Sequence, residues 1–342
     1  MKRFSVIIPI YNCEDHLREC LNSIVTQYND NFELLLVNDG STDESLSICE
    51  EYKAKYSFIQ VYSKENEGLL LTRRFSLKLA RNEWIVWVDA DDYISQDYFN
   101  KISDLISENK DIDMVLIKSK TISDSGKVLW TDDSYYENGC SFNNKKDFYK
   151  LFFDLCNDFK INAMWKKIAK KDIYDINTDY TCYKKVKGED LLQTVPLLDN
   201  AKNVYYLDEP LYYYRLSKNG LGRNLKLKYV NDFQLVYGTL LRYINKKYPN
   251  NIKIHRAFSA HYNTYLAELI KALPIYIELK DFKDAVNRLK TDKTVKKRNT
   301  GIYKGNLKIK TRLLLWLEFR VTCFFYVTDI IGKKIILKIT SR

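Results

Sequence analysis

The sequence contains few of the residues from which several common kinds of functional site are built. Its seven cysteines are an odd set with no C-x-x-C pair, which argues against both a disulfide framework and a zinc site. We therefore expect reduced cysteines and a cytosolic protein. Only three histidines are present, His16, His255 and His261, and none lies in a motif that would make it a general base.

Glycine-rich nucleotide-binding loops and long apolar runs are also missing. The turn after the first apolar segment, Pro9-Ile10-Tyr11-Asn12, has no glycine, so neither G-x-G-x-x-G nor G-x-x-x-x-G-K occurs there. No segment approaches the roughly 18 uninterrupted apolar residues of a spanning helix, and the N-terminal apolar run is too short for a signal peptide. We expect a protein that is not integral to a membrane.

The chain does have enough apolar sequence for a large core, and its charge is uneven. It is 46% hydrophobic and 29% charged over 342 residues, which suits one large domain with an appendage. The net charge is +11, and residues 291–342 carry nine Lys and four Arg against three acids. Such a basic tail binds anionic lipid or nucleic acid, or is a solvated face.

Strand and helix patterns alternate over about the first 120 residues. The predicted strands are Phe4–Ile10, Phe32–Asn38, Ile59–Tyr62, Trp84–Val88 and Met114–Ile117, and the predicted helices are Glu14–Gln27, Leu46–Tyr56, Leu69–Ala80 and Gln96–Ser107. This order predicts an α/β fold with a mostly parallel sheet flanked by helices. Beyond residue 224 the pattern is helical, so we expect a helical C-terminal region.

Three carboxylates follow the fourth predicted strand. Asp89, Asp91 and Asp92 come directly after an apolar run of the kind that is buried on both faces of a parallel sheet. Asp39 follows the second strand in the same way, so these acids share the rim where such sheets bind ligands. Crowded carboxylates suit a hard divalent cation that carries a diphosphate, although a helix cap explains the Asp89–Asp92 acids equally well.

Six short motifs occur in a fixed order along the chain. They are Val6-Ile7-Ile8-Pro9-Ile10-Tyr11-Asn12, Val37-Asn38-Asp39-Gly40-Ser41-Thr42-Asp43, Asn66-x-Gly68 with Arg73, Val88-Asp89-Ala90-Asp91-Asp92, Gly188-Glu189-Asp190 and Leu211-Tyr212-Tyr213-Tyr214-Arg215. Together they resemble the family 2 glycosyltransferases of the GT-A fold. The resemblance covers roughly residues 1–220, which we expect to be the catalytic domain, with a helical basic region over 221–342.

The resemblance implies a site for a nucleotide-sugar donor. The residues that it assigns to this donor are Pro9, Tyr11, Asp39, Asn66, Gly68, Arg73, Asp89, Ala90, Trp165 and Arg215. Pro9 and Tyr11 would line the slot for the base, and Asp39 would accept an N–H from it, which suits uracil and therefore a UDP-sugar. Arg73 has the position of the family's arginine, whereas Arg74 departs from the usual asparagine.

The resemblance also implies a metal ion and an inverting reaction. Asp91 would bind Mn²⁺ or Mg²⁺ between the two phosphates, with Asp89 as an outer contact or ribose ligand, while Asp92 would cap the following helix. Inversion needs a base for the acceptor hydroxyl. The resemblance implies Asp190, with Glu189 as the fallback, although stabilisation by the helix dipole also explains both acids.

Three further features carry open alternatives. Trp165 would stack on a sugar or belong to the core. Arg215 precedes the loop Ser217–Arg223, which would be a lid with cations on the diphosphate or an ordinary linker. The aromatic and basic residues over Thr311–Ile339 are typical of amphipathic helices that contact an anionic membrane surface, or that pack on a partner.

These patterns together predict a metal-dependent inverting glycosyltransferase at the inner face of the cell membrane. The acceptor would be a glycan or a lipid-linked oligosaccharide, because similar bacterial proteins build capsular and other surface polysaccharides on a lipid carrier. The alternatives are a non-catalytic module that binds sugar nucleotides or glycans and a nucleic-acid-binding protein. The latter leaves the acidic rim unexplained, so we expect no nucleic-acid partner.

Overall fold

The computed structural model describes residues 3–158, 160–216 and 228–262. The chain divides into two compact units, Met1–Gly220 with Arg242–Ala257, and Leu221–Leu241 with Phe258–Arg342. The loop Ser217–Arg223 and the tail segment Thr311–Ile339, for which we predicted a lid and membrane helices, lie outside the described residues. The domain boundary at residue 220 stays a prediction.

The first 125 residues alternate between strands and helices as predicted. The elements are β1 (Phe4–Ile10), α1 (Glu14–Val25), β2 (Phe32–Asn38), α2 (Ser45–Lys55), β3 (Ile59–Ser63), α3 (Leu69–Leu79), β4 (Trp84–Trp87), β5 (Tyr93–Ile94), α4 (Tyr98–Glu108) and β6 (Met114–Ser123). Every residue of β1, β2 and β4 is buried, because helices cover both faces of these strands.

The second part of the first unit adds three short strands, the long strand β10 and two helices. They are β7 (Val128–Thr131), β8 (Ser141–Phe142), α5 (Lys145–Asp158), β9 (Lys167–Lys170), α6 (Glu189–Asn200) and β10 (Val204–Leu216), followed by α7 (Lys228–Lys247). Residues 252–262 are also helical. Within the described ranges, no helix combines the length and the apolar character needed to cross a bilayer.

One mixed sheet organises these elements. Its strand order is β3-β2-β1-β4-β9-β6-β10-β5, with β7 beside β6 and β8 beside β10. Strands β3, β2, β1 and β4 are parallel, whereas β9 runs antiparallel to both β4 and β6, and β6 is parallel to β10. The carboxyl ends of β1, β2, β4, β6 and β10 therefore lie on one rim of the sheet.

Candidate active site

Asp39, at the carboxyl end of β2, holds the loop that follows β3. Its Oδ1 accepts hydrogen bonds from Lys64 Nζ at 2.6 Å and from the Glu67 N–H at 3.0 Å, and its Oδ2 accepts one from the Gly68 N–H at 2.8 Å. These donors compensate for the burial of the Asp39 carboxylate. The sequence motifs gave no signal for Lys64, which lies outside all of them.

Gly68 begins α3 in a conformation that only glycine adopts easily. Its φ is +92°, and a Cβ built on it would lie 2.7 Å from Lys185 Cα and 2.9 Å from Lys185 N. The Lys185 N–H donates to the Glu67 carbonyl at 2.9 Å, which brings that backbone close. Asn66, two residues before Gly68, packs against Gly40, because its backbone N lies 2.9 Å from the position of a Cβ built on Gly40. A larger residue at position 68 would strain the start of α3.

Arg73 on α3 joins two carboxylates that are far apart in sequence. Its guanidinium is fully buried, and it donates from one terminal nitrogen to Asp89 Oδ1 at 3.1 Å and from the other to Asp190 Oδ1. The ring of Trp87 lies 5.8 Å from the guanidinium carbon. The Nε of Arg73 is buried with no hydrogen-bond partner in the described part of the chain. Asp89 and Asp190 are thus fixed relative to each other by one cation.

Arg74 points away from these carboxylates. It donates to the backbone carbonyls of Asp175 and Thr178, and its guanidinium carbon lies 4.8 Å from the centre of the Tyr180 ring. Of the two adjacent arginines, Arg73 is the one that contacts the acidic rim.

Burial and mutual repulsion raise the pKa values of two acids beside Arg73. Burial raises the pKa of Asp89 to about 6, because the favourable charge of Arg73 offsets it only in part, and Asp190 and Asp91 raise it further. Burial and the nearby Asp190 raise the pKa of Glu189 to about 7, again against the opposing effect of Arg73. The rim therefore has more carboxylates than Arg73 alone neutralises, an environment that favours an additional cation.

Asp92 does not cap a helix, and the prediction that it does so is wrong. Its buried carboxylate accepts hydrogen bonds from the Tyr212 hydroxyl and from the Arg215 N–H, both at 2.7 Å. The following helix, α4, begins after Asp97 without a side-chain cap. The Tyr212 hydroxyl also accepts a hydrogen bond from the Asp89 N–H at 3.0 Å. Asp92 thus anchors the Asp89–Asp92 turn to β10.

Arg215 holds the same turn from the other side. Its Nε donates to the Asp91 carbonyl at 2.9 Å, one terminal nitrogen donates to the Asp124 carbonyl at 2.6 Å, and the other pairs with the Glu19 carboxylate. All three guanidinium nitrogens are therefore bonded to the protein. A phosphate contact by Arg215 stays a prediction, whereas its contact with the Asp91 backbone is observed.

The Asp91 carboxylate differs from the other two acids of the turn in its contacts. Among the described residues no side chain pairs with it, and burial raises its pKa, against the opposing charges of His16 and Arg215. No group of three or more His, Cys, Asp or Glu that could hold a metal occurs in the described ranges. Mg²⁺-type ions, however, are usually held by one or two carboxylates together with substrate phosphates, and Asp91 with Asp89 fits that donor set.

His16 is a neighbour of Asp91 that the motifs did not identify. Its Nε2 lies 3.1 Å from the Asp124 carboxylate. It reaches this position because α1 begins directly after β1, at the same rim of the sheet.

The remaining predicted donor residues lie at or beside this rim. Pro9 is buried in β1 opposite Val37, Tyr11 is 45% exposed just beyond β1, and Ala90 is buried in the Asp89–Asp92 turn. Trp165 is 7% exposed, and its ring stacks on Tyr212 with centroids 4.2 Å apart. Trp165 is therefore packed mainly against β10.

Lys167, the first residue of β9, is a buried cation that sequence reasoning passed over. Its Nζ donates to the carbonyls of Asn162 at 2.9 Å and Ala163 at 2.7 Å. Burial lowers the pKa of Lys167 to about 7, although the nearby Asp190 opposes this shift. Lys167 thus supports the segment that carries Trp165 and adds positive charge near Asp190.

We expect the Glu189 carboxyl to make the protein less stable as the pH rises through neutrality. Its pKa in the folded protein, about 7, is above the ordinary value of 4.5, so the folded state binds more protons between these values. The free energy of unfolding should therefore fall by about 1–3 kcal/mol between pH 5 and pH 7.5 on account of this group. Glu189→Gln should remove this part of the slope in urea unfolding.

Glu108→Gln, at the exposed end of α4, is the matched control for this prediction and should keep the slope of the unaltered protein. Equal slopes for Glu189→Gln and the unaltered protein would contradict the assignment.

Comparison with known proteins identifies glycosyltransferases that are similar to this chain. The family model described as "Glycosyl transferase family 2" matches residues 5–171. The chain is 33% identical over 225 residues to "Glycosyltransferase GlyA" of Streptococcus pneumoniae serotype 4, an alignment that covers 65% of this chain and 32% of that protein. It is 29% identical over 226 residues to the poly(ribitol-phosphate) beta-N-acetylglucosaminyltransferase TarS of Staphylococcus aureus strain MW2, covering 64% and 36%. The chain thus spans about a third of the length of each of these relatives.

Solved structures of S. aureus TarS residues 1–349 share the fold. The TM-score is 0.56 at 24% identity, covering 83% of this chain and 81% of that one. For the complex of the same protein with UDP-GlcNAc it is 0.54 at 23% identity, covering 83% and 79%. The fold is therefore the GT-A fold, and the part of the chain that matches the family 2 glycosyl transferase model, residues 5–171, carries parallel strands of this fold.

Proposed function

We propose that the protein is a metal-dependent, inverting glycosyltransferase. It transfers a sugar from a UDP-sugar to a hydroxyl of a glycan or lipid-linked acceptor. The product is a bacterial surface polysaccharide, such as a capsule. The observation that carries this proposal is the buried Arg73 guanidinium, which binds Asp89 on the donor rim and Asp190 at the start of α6. One residue thereby couples the donor carboxylate to the acid that would serve as base.

The donor half of the proposal rests on Asp39 and the rim around it. A carboxylate has about four acceptor positions, and three donors occupy the two oxygens of Asp39, which leaves one position for the N–H of a uracil. The exposed ring of Tyr11 offers a flat surface beside it. The UDP-GlcNAc complex of TarS, a protein of the same fold, supports a UDP-sugar as the donor class.

The metal half of the proposal rests on Asp91. Enzymes of this family generally use a divalent metal ion. Asp91, with Asp89 beside it, would hold Mn²⁺ or Mg²⁺. When bound, such an ion supplies Lewis-acid stabilisation of the departing diphosphate. The protein's own contribution is positional, because Arg215 holds the backbone of Asp91 and Arg73 holds the carboxylate of Asp89.

Asp190 is the base that we propose for the acceptor hydroxyl. Its Oδ1 is held by Arg73, and its Oδ2 accepts no hydrogen bond from the described residues, so Oδ2 is available to take a proton. The proton leaves the acceptor oxygen as that oxygen attacks the anomeric carbon opposite the diphosphate. Geometry favours Asp190 over Glu189, because only Asp190 is tied through Arg73 to the donor carboxylate Asp89.

Replacing Asp91 by Ala should abolish donor turnover. We expect UDP release from the UDP-sugar to fall by about 100-fold or more, and the Mn²⁺-dependent rise in melting temperature with UDP to disappear, because the metal loses its principal ligand. The control is Asp15→Ala, an exposed acid of α1 that makes none of these contacts. Turnover that survives both Asp91→Ala and chelation would refute the metal role.

The base should be identified by two isosteric substitutions. Asp190→Asn should lower kcat for transfer by about 10²–10⁴-fold, because an amide accepts no proton, while its oxygen still accepts the hydrogen bond from Arg73. Glu189→Gln should lower kcat by much less. Initial rates with saturating donor and varied acceptor check this, and the reverse ranking of the two variants would make Glu189 the base.

We also propose that the basic C-terminal region attaches the enzyme to the inner face of the cell membrane. Each Lys or Arg near an anionic bilayer contributes about 1 kcal/mol, so a chain ending at Thr300 should sediment with phosphatidylserine vesicles much less than the full chain does at low salt. Neutral vesicles provide the control. Equal sedimentation of the two chains with the anionic vesicles would rule out attachment through residues 301–342.

A further inference from the structure

The β6–β7 hairpin carries an exposed tryptophan in register with the aromatic residues of β10. Trp130 is 51% exposed and lies opposite Thr121 of β6, and Thr121 lies opposite Tyr214 of β10. Residues that lie opposite each other in a sheet project from the same face, so these three form one row across it. At about 4.8 Å per strand, the backbones at Trp130 and Tyr214 are about 10 Å apart, and Thr121 lies between them in the register.

This row continues into the candidate active site. The ring of Tyr214 lies 5.7 Å from the ring of Trp165 and is nearly parallel to it, at 14°. Trp165 in turn stacks on Tyr212, whose hydroxyl bonds to the Asp92 carboxylate and the Asp89 N–H. A line of aromatic rings therefore runs from the Asp89–Asp92 turn to Tyr214 and, across Thr121, to Trp130.

Polar groups border the same face of the sheet. Asp132 accepts a hydrogen bond from Ser119 Oγ at 2.6 Å and pairs with Lys166 Nζ at 2.8 Å. The opposite face is a separate environment, because Lys120 and Tyr213 contact each other there, with the Lys120 Nζ 5.1 Å from the ring. Aromatic rings bordered by a few fixed polar groups are typical of sites that bind sugars, because pyranose rings have an apolar C–H face and polar edges.

We propose that Trp130 and Tyr214 form a stacking platform for the pyranose rings of a glycan acceptor. This inference rests on the proposed glycosyltransferase function and adds the class of acceptor, a chain of neutral hexopyranose sugars that extends from the catalytic acids over β10 and the hairpin. Trp130 supplies the outer ring and Tyr214 the inner one. Trp130 has no ring contact or hydrogen bond from its side chain within the described ranges.

The charge of the hairpin favours a neutral glycan over an anionic bilayer. Residues 124–133 contain three Asp and one Lys, so this end of the sheet repels anionic lipid headgroups. A bilayer would also engage the hairpin through Leu129, which is 46% exposed and is the neighbour of Trp130 at the irregularity of the β6–β7 pairing. A sugar chain on the platform stacks on the aromatic rings of Trp130 and Tyr214 and does not need the aliphatic side chain of Leu129.

Leu129 therefore provides a matched control. The full chain is tested by saturation-transfer NMR and calorimetry against cellotetraose, maltotetraose, chitotetraose and poly(ribitol phosphate), each with Mn²⁺ and UDP. We expect at least one of the tetrasaccharides to bind, Trp130→Ala to weaken that binding about three- to tenfold, and Leu129→Ala to leave it unchanged. Trp130→Phe should restore most of the affinity, because a smaller aromatic ring still stacks.

Any of the following outcomes overturns the proposal of a stacking platform. It fails if no tetrasaccharide binds, if only poly(ribitol phosphate) binds, if Trp130→Ala and Leu129→Ala weaken binding equally, or if the substitutions reduce sedimentation with anionic vesicles instead. A parallel loss of UDP binding in Trp130→Ala would show that Trp130 supports the fold and would also overturn it. UDP release without acceptor is a separate measurement. If no UDP-sugar gives UDP release while glycan binding still depends on Trp130, the transferase proposal is refuted and the platform is not.

Discussion

The buried guanidinium of Arg73 is the interaction on which the geometry of the candidate site depends. It pairs with Asp89, 16 residues along the chain, and with Asp190, 117 residues along it. Removing one partner of such a buried pair typically costs about 3–5 kcal/mol, because the remaining charge is left without compensation. The position of Arg73 follows from the start of α3 at Gly68, and the Gly68 N–H is held by Asp39. A short chain of contacts thus connects the end of β2 to the carboxylates of Asp89 and Asp190.

Strand β10 imposes a second constraint, from the opposite side of the Asp89–Asp92 turn. Tyr212 and Arg215 bond to the Asp92 carboxylate, the Asp89 N–H and the Asp91 carbonyl. These hydrogen bonds therefore fix the polar groups of the turn in place, except the carboxylate of Asp91. A carboxylate that is held by its backbone and pairs with no side chain of the described residues needs little rearrangement to coordinate a cation, which lowers the cost of binding.

The sequence predicted the features that have local causes and missed those that depend on residues far apart in the chain. Strands β1 and β2 have the predicted bounds, because an unbroken run of buried residues is a local pattern. Strand β9 was missed because two of its four residues are lysines, and Lys167 is buried only through carbonyls that the fold supplies. The role of Asp92 was also missed, because its partner Tyr212 is 120 residues away and no local pattern encodes that contact. The motifs named the acids of the rim together with Arg73 and Arg215, but not Lys64, which pairs with Asp39.

The two sides of the candidate site differ in how strongly the fold constrains them. The donor side lies at the ends of β1, β2 and β4, whose residues are all buried, so a change there disturbs the core as well as the site. Strand β7 is exposed along its whole length, and among the described strands it pairs with β6 alone. Substitutions on such a surface strand usually cost little stability. In the proposed enzyme, selection for a new acceptor would therefore alter residues such as Trp130 while Arg73, Asp89 and Asp190 stay as they are, which would separate acceptor choice from the chemistry of transfer.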